Sequence, residues 1–230
     1  MAERSGPWPK RSLIGTLTEQ EREELLKLGT KVEFPHKAAL VRQGDPDNGA
    51  LYILLDGYTK VTVDTADGNQ TVLAIRSRGD LVGEFALLDG GPRTATVTAI
   101  NTVVAIRIGR SAVNAYLADH PDAHAKVTAS LLAKMRTSTE RRVEARAWGA
   151  RERIARLLCE LVEQYGEPGD DGVVIALPLS QFELGGLAGA GEATTERVLN
   201  EFRHAGMIRT SWRRITVLDA AKLRGLWRGY

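Results

Sequence analysis

The feature that most constrains the fold is a series of short β-branched runs between about residues 31 and 110, each separated from the next by a turn signal. Runs such as "ALYILLDG", "YTKVTVDT" and "NTVVAIRIG" are bounded by glycine, aspartate or asparagine, and "ADGN" at 66–69 is typical of a hairpin turn. In the runs at 60–63 and 95–100, apolar and polar side chains alternate, which indicates strands with one buried face. Because no helical period interrupts these runs, the segment predicts an antiparallel sandwich or roll of about eight strands.

The chain opens with about 14 polar residues for which we expect disorder. The stretch "LTEQEREELLKLG" at 17–29 then predicts a short helix, because Thr18 and Glu21 have the spacing of a capping box and Gly29 is a typical stop. This helix would open the first domain.

A helical period replaces the strand pattern at about residue 111 and continues to about residue 147. Side chains spaced by three and four form one stripe along it, made of Val127, Leu131, Met135, Ser138, Arg142 and Ala145. One small roll cannot cover a helix of more than about 30 residues, so we expect its own copy as partner in a parallel homodimer. A helix lying along its own domain is the alternative use of the stripe. Gly149 follows as a predicted hinge.

The C-terminal stretch "LSQFELGGLAGAGEATTERVLNEFRHAGMIRT" contains two short helical patterns on either side of a glycine-rich turn. Ser180 and Glu183 have the spacing of a capping box that opens the first helix, and residues 189–191 make the turn. Two short helices joined in this way are typical of a helix-turn-helix. The segment that follows, "MIRTSWRRITVLD", has two short strand patterns with a basic tip, which favours the winged variant.

The charge distribution indicates a nucleic-acid partner at this end of the chain. The net charge is +2, but residues 197–230 carry eight Lys or Arg against two Asp or Glu, whereas residues 157–196 contain no Lys or Arg. The side chains that would lie beside phosphates are Arg197, Arg203, Arg209, Arg213 and Arg214. We therefore expect double-stranded DNA as the partner of the C-terminal domain.

A second glycine-rich stretch, "GEFALLDGGPRTATV" at 83–97, places two opposite charges inside the predicted roll. Burying either charge alone would cost several kcal/mol, so Glu84 and Arg93 must pair with each other or with something that enters. The glycines let the backbone approach a ligand closely, and a short helical turn between the two residues would direct N–H groups at an anion. A guanidinium binds phosphate bidentately and a carboxylate accepts from hydroxyls, so the pair fits a phosphate and a sugar.

This stretch resembles the phosphate-binding cassette of cyclic-nucleotide-binding domains, whose motif is G-E-[LF]-A-L followed by P-R-[AST]-A. The resemblance implies that Arg93 pairs with the cyclic phosphate and that Glu84 accepts from the ribose 2′-hydroxyl. Further contacts to the ligand are implied at Gly83, Phe85, Ala86 and Thr94. The alternative is an internal Glu84–Arg93 pair in a roll that binds nothing.

The order of the parts resembles the cAMP receptor protein (CRP/FNR) family of bacterial transcription regulators over about residues 17–220. The resemblance implies an α+β fold, with RNA polymerase as a further partner. Its parts would be an N-terminal antiparallel β-roll of the cyclic-nucleotide-binding type at 15–120, a long dimerisation helix and hinge at 121–148, and a winged helix-turn-helix DNA-binding domain at 149–230. It also implies that Ser138 and Thr139 reach the adenine of cAMP from both subunits. A threonine directly after the arginine also occurs in domains that prefer cGMP, which leaves cGMP open.

The start of the recognition helix departs from the family pattern. Where many members read "SRETVSR" this chain reads "GEATTER", so Glu192 and Ala193 replace the family's arginine and glutamate. A glutamate can accept from cytosine N4 and repels phosphate, whereas an arginine pairs with guanine. We therefore expect a different operator, still a palindrome with half-sites about one helical turn apart. The residues predicted to contact DNA are Ser180, Gln181, Glu192, Thr194, Thr195, Arg197, Ser211 and Arg213.

Composition excludes several other classes of protein. An apolar fraction of 43% and a charged fraction of 26% are typical of a globular chain, and the single cysteine, Cys159, excludes an internal disulfide or a multi-cysteine metal site. No run reaches the ~18 apolar residues of a membrane helix and no signal peptide is visible, so we expect a cytoplasmic protein. A barrel enzyme of the cupin type needs clustered histidines, so we expect neither a metal nor enzymatic activity. A constitutive DNA-binding protein whose roll is a dimerisation scaffold remains the alternative, and activation or repression stays open.

Overall fold

The structure, a computed structural model, describes residues 6–46, 49–64, 68 and 70–227, with only the backbone described at Leu87 and Leu88. The chain divides into two compact units inside its longest helix, Met1–Arg136 and Thr137–Tyr230. Within the described ranges, no helix is both long enough and apolar enough to cross a membrane. The three-part division predicted from the sequence remains a prediction.

The described residues of the first unit form eight strands. These are β1 Thr30–Phe34, β2 Ala39–Val41, β3 Ala50–Asp56, β4 Thr59–Asp64, β5 Gln70–Arg76, β6 Leu81–Val82, β7 Thr96–Ala99 and β8 Val103–Gly109. They make two four-stranded sheets, β1-β8-β3-β6 and β2-β7-β4-β5, in which adjacent strands are antiparallel. The predicted antiparallel roll is therefore confirmed. The turn predicted at 66–69 lies outside the described residues except for Gly68.

Five helices among the described residues belong wholly or in part to this unit. They are α1 Leu13–Thr16, α2 Glu19–Lys27, α3 Glu84–Asp89, α4 Arg110–Asp119 and α5 Pro121–Ala147. The predicted capping box opens α2, since Thr18 Oγ1 accepts from the Glu21 N–H and the Glu21 carboxylate accepts from the Thr18 N–H. The expectation of disorder up to residue 14 is wrong from Gly6 onward. Leu13 and Ile14 are buried in the core, so two apolar side chains anchor this otherwise polar segment.

The single helix predicted from about 111 to 147 is wrong, because the chain breaks at His120. Pro121 has no backbone N–H and cannot continue α4. It occupies the first position of α5, where an N–H needs no partner within the helix. The apolar residues keep a helical period on both sides of the break, because α4 and α5 each bury one face.

The apolar side chains of α5 fall into two groups, one buried against its own domain and one exposed. Val127 is buried and Leu131 packs against the same core, so this part of the stripe covers its own domain. The exposed apolar side chains are Leu132, Met135 and Val143, at 48%, 56% and 61%. Their spacing keeps them on one side of the helix, which makes a second stripe that the sequence pattern did not separate from the first.

The second unit continues after α5 with helices and a four-stranded sheet of order β11-β12-β10-β9. Its elements are α6 Ala150–Tyr165, β9 Gly166–Gly169, β10 Gly172–Ile175, α7 Gln181–Ala188, α8 Glu192–His204, β11 Ile208–Ser211, β12 Arg214–Val217 and α9 Ala220–Gly225. Ile154, Leu158, Leu184, Val198 and Phe202 form its fully buried centre. Helices α7 and α8 with the β11–β12 hairpin confirm the predicted winged helix-turn-helix.

Candidate functional site

The segment from Gly83 to Arg93 forms the short helix α3 with a left-handed glycine at each end. Gly83 has φ 89° and Gly90 has φ 72°, a region that side chains other than glycine rarely adopt. A Cβ on Gly83 would lie 2.6 Å from Arg93 Nη1 and 3.0 Å from the Ala50 carbonyl oxygen. Glycine is therefore required here so that the backbone can lie directly against the arginine.

Arg93 is buried, with 4% of its surface exposed. Its Nη1 donates to the Gly83 carbonyl at 2.8 Å and its Nη2 donates to the Ala50 carbonyl at 2.7 Å. Burial lowers the pKa of Arg93, because the charged form loses hydration, while Tyr52, Glu84 and Asp45 act to raise it. The two carbonyl acceptors fix the direction of the guanidinium but carry no net charge.

Glu84 is also buried, and it has a partner that the sequence analysis missed. Lys134 Nζ from α5 donates to Glu84 Oε1 at 2.6 Å and to the Leu81 carbonyl at 3.1 Å. Burial lowers the pKa of Lys134, and the Glu84 charge raises it. Helical spacing in the sequence could have indicated this contact. Lys134 lies three residues after Leu131, on the face of α5 that covers its own domain.

The surroundings of this ion pair are crowded and partly charged. Burial raises the pKa of Asp80, against lowering effects that include the Arg76 charge and the Ser77 N–H, which donates to Asp80 at 2.8 Å. A cavity of about 10 Å³ borders Glu84 and is otherwise lined by apolar side chains such as Leu51. That volume holds about one water molecule.

The other residues predicted to contact a nucleotide lie in different surroundings. Ala86 is buried, and its carbonyl accepts from Arg110 Nη2 at 2.7 Å. Phe85 and Thr94 are exposed. Ser138 and Thr139 are exposed as well, and they lie on the last turns of α5, in the second unit. The structure thus brings Gly83, Glu84, Ala86 and Arg93 together.

The helix-turn-helix begins with a polar cap. Ser180 Oγ accepts from the Glu183 N–H, and the Glu183 carboxylate accepts from the Ser180 N–H, so the predicted capping box is confirmed. Gln181, the first residue of α7, is exposed. Gly189 ends the helix with φ 62°, which turns the chain toward α8.

The recognition helix α8 presents only part of its predicted contact set. Glu192 and Arg197 are exposed and Thr194 is half-buried. The prediction for Thr195 is wrong, because its side chain is 0% exposed and its Oγ1 donates to the Gly191 carbonyl at 3.0 Å. Glu196 was not among the predicted contact residues, and it is exposed one turn after Glu192.

The basic residues of the wing differ in whether they are exposed or engaged in contacts within the unit. Ser211 and Arg213 are exposed at the tip, and Arg213 has φ 51°. Arg209 forms a two-point ion pair with Asp171, with Nη2 2.6 Å from Oδ1, so it is engaged within the unit. Arg203 Nη1 donates to Thr210 Oγ1 at 3.1 Å, which joins the last turn of α8 to β11.

Comparisons with known proteins agree with these two sites. Residues 31–120 match the cyclic nucleotide-binding domain family, and residues 152–226 match the Crp-like helix-turn-helix domain family. The CRP-like cAMP-activated global transcriptional regulator of Mycobacterium tuberculosis is 28% identical over 84% of this chain and 85% of its own length. The cyclic AMP receptor protein of Thermus thermophilus is 28% identical over 83% of this chain and 84% of its own length.

A similar fold is found among solved structures. A CRP/FNR-family transcriptional regulator from Thermus thermophilus superposes with a TM-score of 0.72 at 22% identity, covering 86% of this chain and 97% of its own. At that identity the likeness concerns the fold alone. With its cyclic nucleotide-binding domain followed by a Crp-like helix-turn-helix, the chain belongs to the CRP/FNR family of DNA-binding transcription regulators.

Proposed function

We propose that this regulator binds cAMP and, as a homodimer, recognises a palindromic operator with an affinity that the nucleotide raises. The observation that carries the proposal is Arg93, a buried guanidinium that donates to the backbone carbonyls of Gly83 and Ala50. A buried guanidinium is stabilised when an anion of matching shape enters, because the opposite charges attract and two phosphate oxygens can accept from it bidentately. A cyclic phosphodiester is such an anion, and the relatives named above are a cAMP-activated regulator and a cyclic AMP receptor protein.

The chain's own residues can accommodate the rest of the nucleotide. Glu84 uses Oε1 for Lys134, and its carboxylate has further acceptor capacity for a ribose hydroxyl. Arg93 would exchange a carbonyl acceptor for a phosphate oxygen. The adenine contact expected of Ser138 and Thr139 stays part of the proposal, supported by their exposure on α5.

The homodimer is supported by the exposed stripe on α5. Leu132, Met135 and Val143 repeat at helical spacing on one side of a 27-residue helix. A second copy of the helix would remove this stripe from water, and twofold symmetry would then present two recognition helices to successive half-sites. The nucleotide would act by binding the arrangement with the correct spacing more tightly than the other. Such a regulator would act in the cytoplasm, with RNA polymerase as a further partner.

The test is calorimetry of the purified protein with cAMP and with cGMP, followed by operator binding with and without each nucleotide. R93A should abolish both the binding heat and the nucleotide dependence of DNA affinity. R107A is the matched control, because Arg107 is exposed on β8 of the same roll, and it should behave as wild type.

Folding of the variants is checked by circular dichroism, and R93K provides a second variant that keeps the charge but loses the bidentate geometry. R93K should retain the fold and bind the nucleotide at least tenfold more weakly, on the order of one lost charge-assisted bond. A DNA affinity that still responds fully to cAMP in R93A would show that the pocket lies elsewhere.

A second candidate function is favoured by one observation. Glu84 is already paired with Lys134, and the cavity that borders it holds about one water. A roll whose Glu84 is engaged in this way would suit a constitutive DNA-binding protein whose N-terminal unit serves as a dimerisation scaffold. Operator binding without measurable heat from either nucleotide would select this candidate.

A further inference from the structure

Trp212 is an unusual side chain for its position. It is 88% exposed at the tip of the β11–β12 hairpin, where it contributes little to the core of the second unit. Ser211 is paired with Arg214 across the hairpin, so the turn consists of Trp212 and Arg213. The indole is held in water on a two-residue turn beside two exposed arginines, Arg213 and Arg214, where its ring is accessible to a partner.

The turn that carries Trp212 is held in place from both sides. Thr210 accepts a hydrogen bond from Arg203 of α8, and Arg209 pairs with Asp171 next to β9. Arg213 adopts φ 51°, a conformation in which glycine would be more stable. The turn thus holds an arginine side chain at its tip despite the cost of the left-handed conformation.

The chemistry around the indole selects the kind of partner. The Arg213 guanidinium lies 5.6 Å from the centre of the Trp212 ring, and Arg214 is exposed beside it. Two cations beside an aromatic ring suit a polyanion with stacking or sugar surfaces. Nucleic acid is such a polymer.

We infer that Trp212 is a DNA-contacting residue that enters the minor groove beside the half-site read by α8, with Arg213 and Arg214 on the flanking phosphates. The inference rests on the proposed DNA binding. The minor groove is about 6 Å wide and admits a narrow hairpin tip, while the recognition helix occupies the wider major groove. Apolar side chains of minor-groove proteins make wedge contacts of this kind.

The experiment uses the full chain with saturating cAMP and an operator selected from random duplexes. W212A should weaken operator binding about tenfold, and W212F should lose less because a ring remains. In the half-site flank, each G·C pair is replaced by inosine·cytosine, which removes the minor-groove amino group and leaves the major-groove edge unchanged. The wild type should bind the inosine duplex several-fold more tightly, and W212A should not distinguish the two duplexes.

Fluorescence gives an independent reading. The chain has four tryptophans, so the difference between wild type and W212F reports Trp212. DNA should change the emission of the wild type more than that of W212F. R213G should keep the fold, because glycine accepts the positive φ, and should weaken binding to all sequences by removing one phosphate contact.

The outcomes separate the two proposals. If W212A binds the operator like the wild type, with the same response to inosine, the inference is wrong while the proposed DNA binding stands. The same holds if W212A binds DNA normally but no longer supports transcription, since Trp212 would then meet a protein. If the wild type binds no duplex from the random pool, both proposals fail.

Discussion

Lys134 Nζ lies 2.6 Å from Glu84 Oε1, so α5 and the α3 segment are joined by a buried ion pair inside the first unit. The side chains are 14% and 7% exposed, which keeps water from replacing either partner. The carboxylate expected to hold a ribose hydroxyl is therefore also the one that holds the long helix. Any nucleotide that engages Glu84 acts on a group already coupled to α5.

Removing Lys134 should destabilise the first unit through the carboxylate left behind. K134M leaves Glu84 buried without its cation, and we expect the free energy of unfolding to fall by about 3–5 kcal/mol. The double variant K134M/E84Q should recover most of that loss, because neither charge of the pair remains. Urea denaturation of the two single variants and the double variant measures the coupling. Strictly additive effects would mean that the pair contributes little.

Substitution of Gly83 should lower the stability of the protein through two effects that a control variant can separate. G83A forces a side chain into φ 89° and places its Cβ 2.6 Å from Arg93 Nη1. G44A is the matched control, because Gly44 has φ 80° with no heavy atom within 4 Å of its Cβ position. Each variant should lose about 1–2 kcal/mol from backbone strain, and G83A should lose more and bind cAMP much more weakly. Equal stability and equal nucleotide binding in the two variants would contradict the close contact.

Thr195 should support the helix-turn-helix rather than contact DNA. T195V keeps the shape but loses the hydrogen bond to the Gly191 carbonyl, so stability should fall by about 1 kcal/mol. Operator affinity should stay within about twofold, measured where both proteins are folded. T194V is the comparison, and it should weaken DNA binding with little change in stability. If T195V instead weakened DNA binding with little change in stability, Thr195 would be a DNA-contacting residue.

Glu192 should determine part of the operator sequence. E192Q replaces a carboxylate acceptor by an amide that can also donate, so a preference for cytosine at the contacted position should weaken by about 1–3 kcal/mol. Affinity for random duplex should rise, since a charge that repels phosphates is lost. Sequence selection with wild type, E192Q and E196Q measures the preference and tells which acid reads the base. An unchanged consensus in both variants would show that neither does.

His120 should respond to pH through Tyr116 and Glu24. Its Nδ1 lies 2.9 Å from the Tyr116 carbonyl and its Nε2 lies 2.8 Å from Glu24 Oε2, and these bonds raise its pKa. The ordinary value is about 6.5, so the stabilisation is complete below that pH and is lost as the pH rises through the higher folded value. NMR titration should find the pKa above 6.5 in the wild type and lower in E24Q. A value at or below 6.5 in the wild type would contradict the bond.

Much of the fold could be predicted from local sequence patterns. The alternation in β7 and the caps at Thr18 and Ser180 depend on neighbours in the chain, and the structure has each of them. The alternation predicted in β4 is wrong, because Thr62 is buried while Val61 and Val63 are half-buried, and the pairing with β5 shifts register between Val61 and Thr62. The break at Pro121 was also readable, because a proline stops the preceding helix, but the shared apolar period of α4 and α5 obscured it.

Local patterns could not predict the contacts that join residues far apart in the chain. Lys134 meets Glu84 across 50 residues, and both side chains look like ordinary surface charges in the sequence. Thr195 and Glu196 are adjacent polar residues, yet one is buried against α7 and the other is exposed, which depends on the direction in which α8 packs.

By itself the sequence determined the roll, the helix-turn-helix and the glycine-bounded segment of α3, because turn chemistry, periodicity and motif spacing are local properties. Only the tertiary structure decided which charged side chains are buried and with whom they pair. A buried charge takes its pKa and its partner from whatever packs around it, and that packing joins residues that the linear order keeps apart.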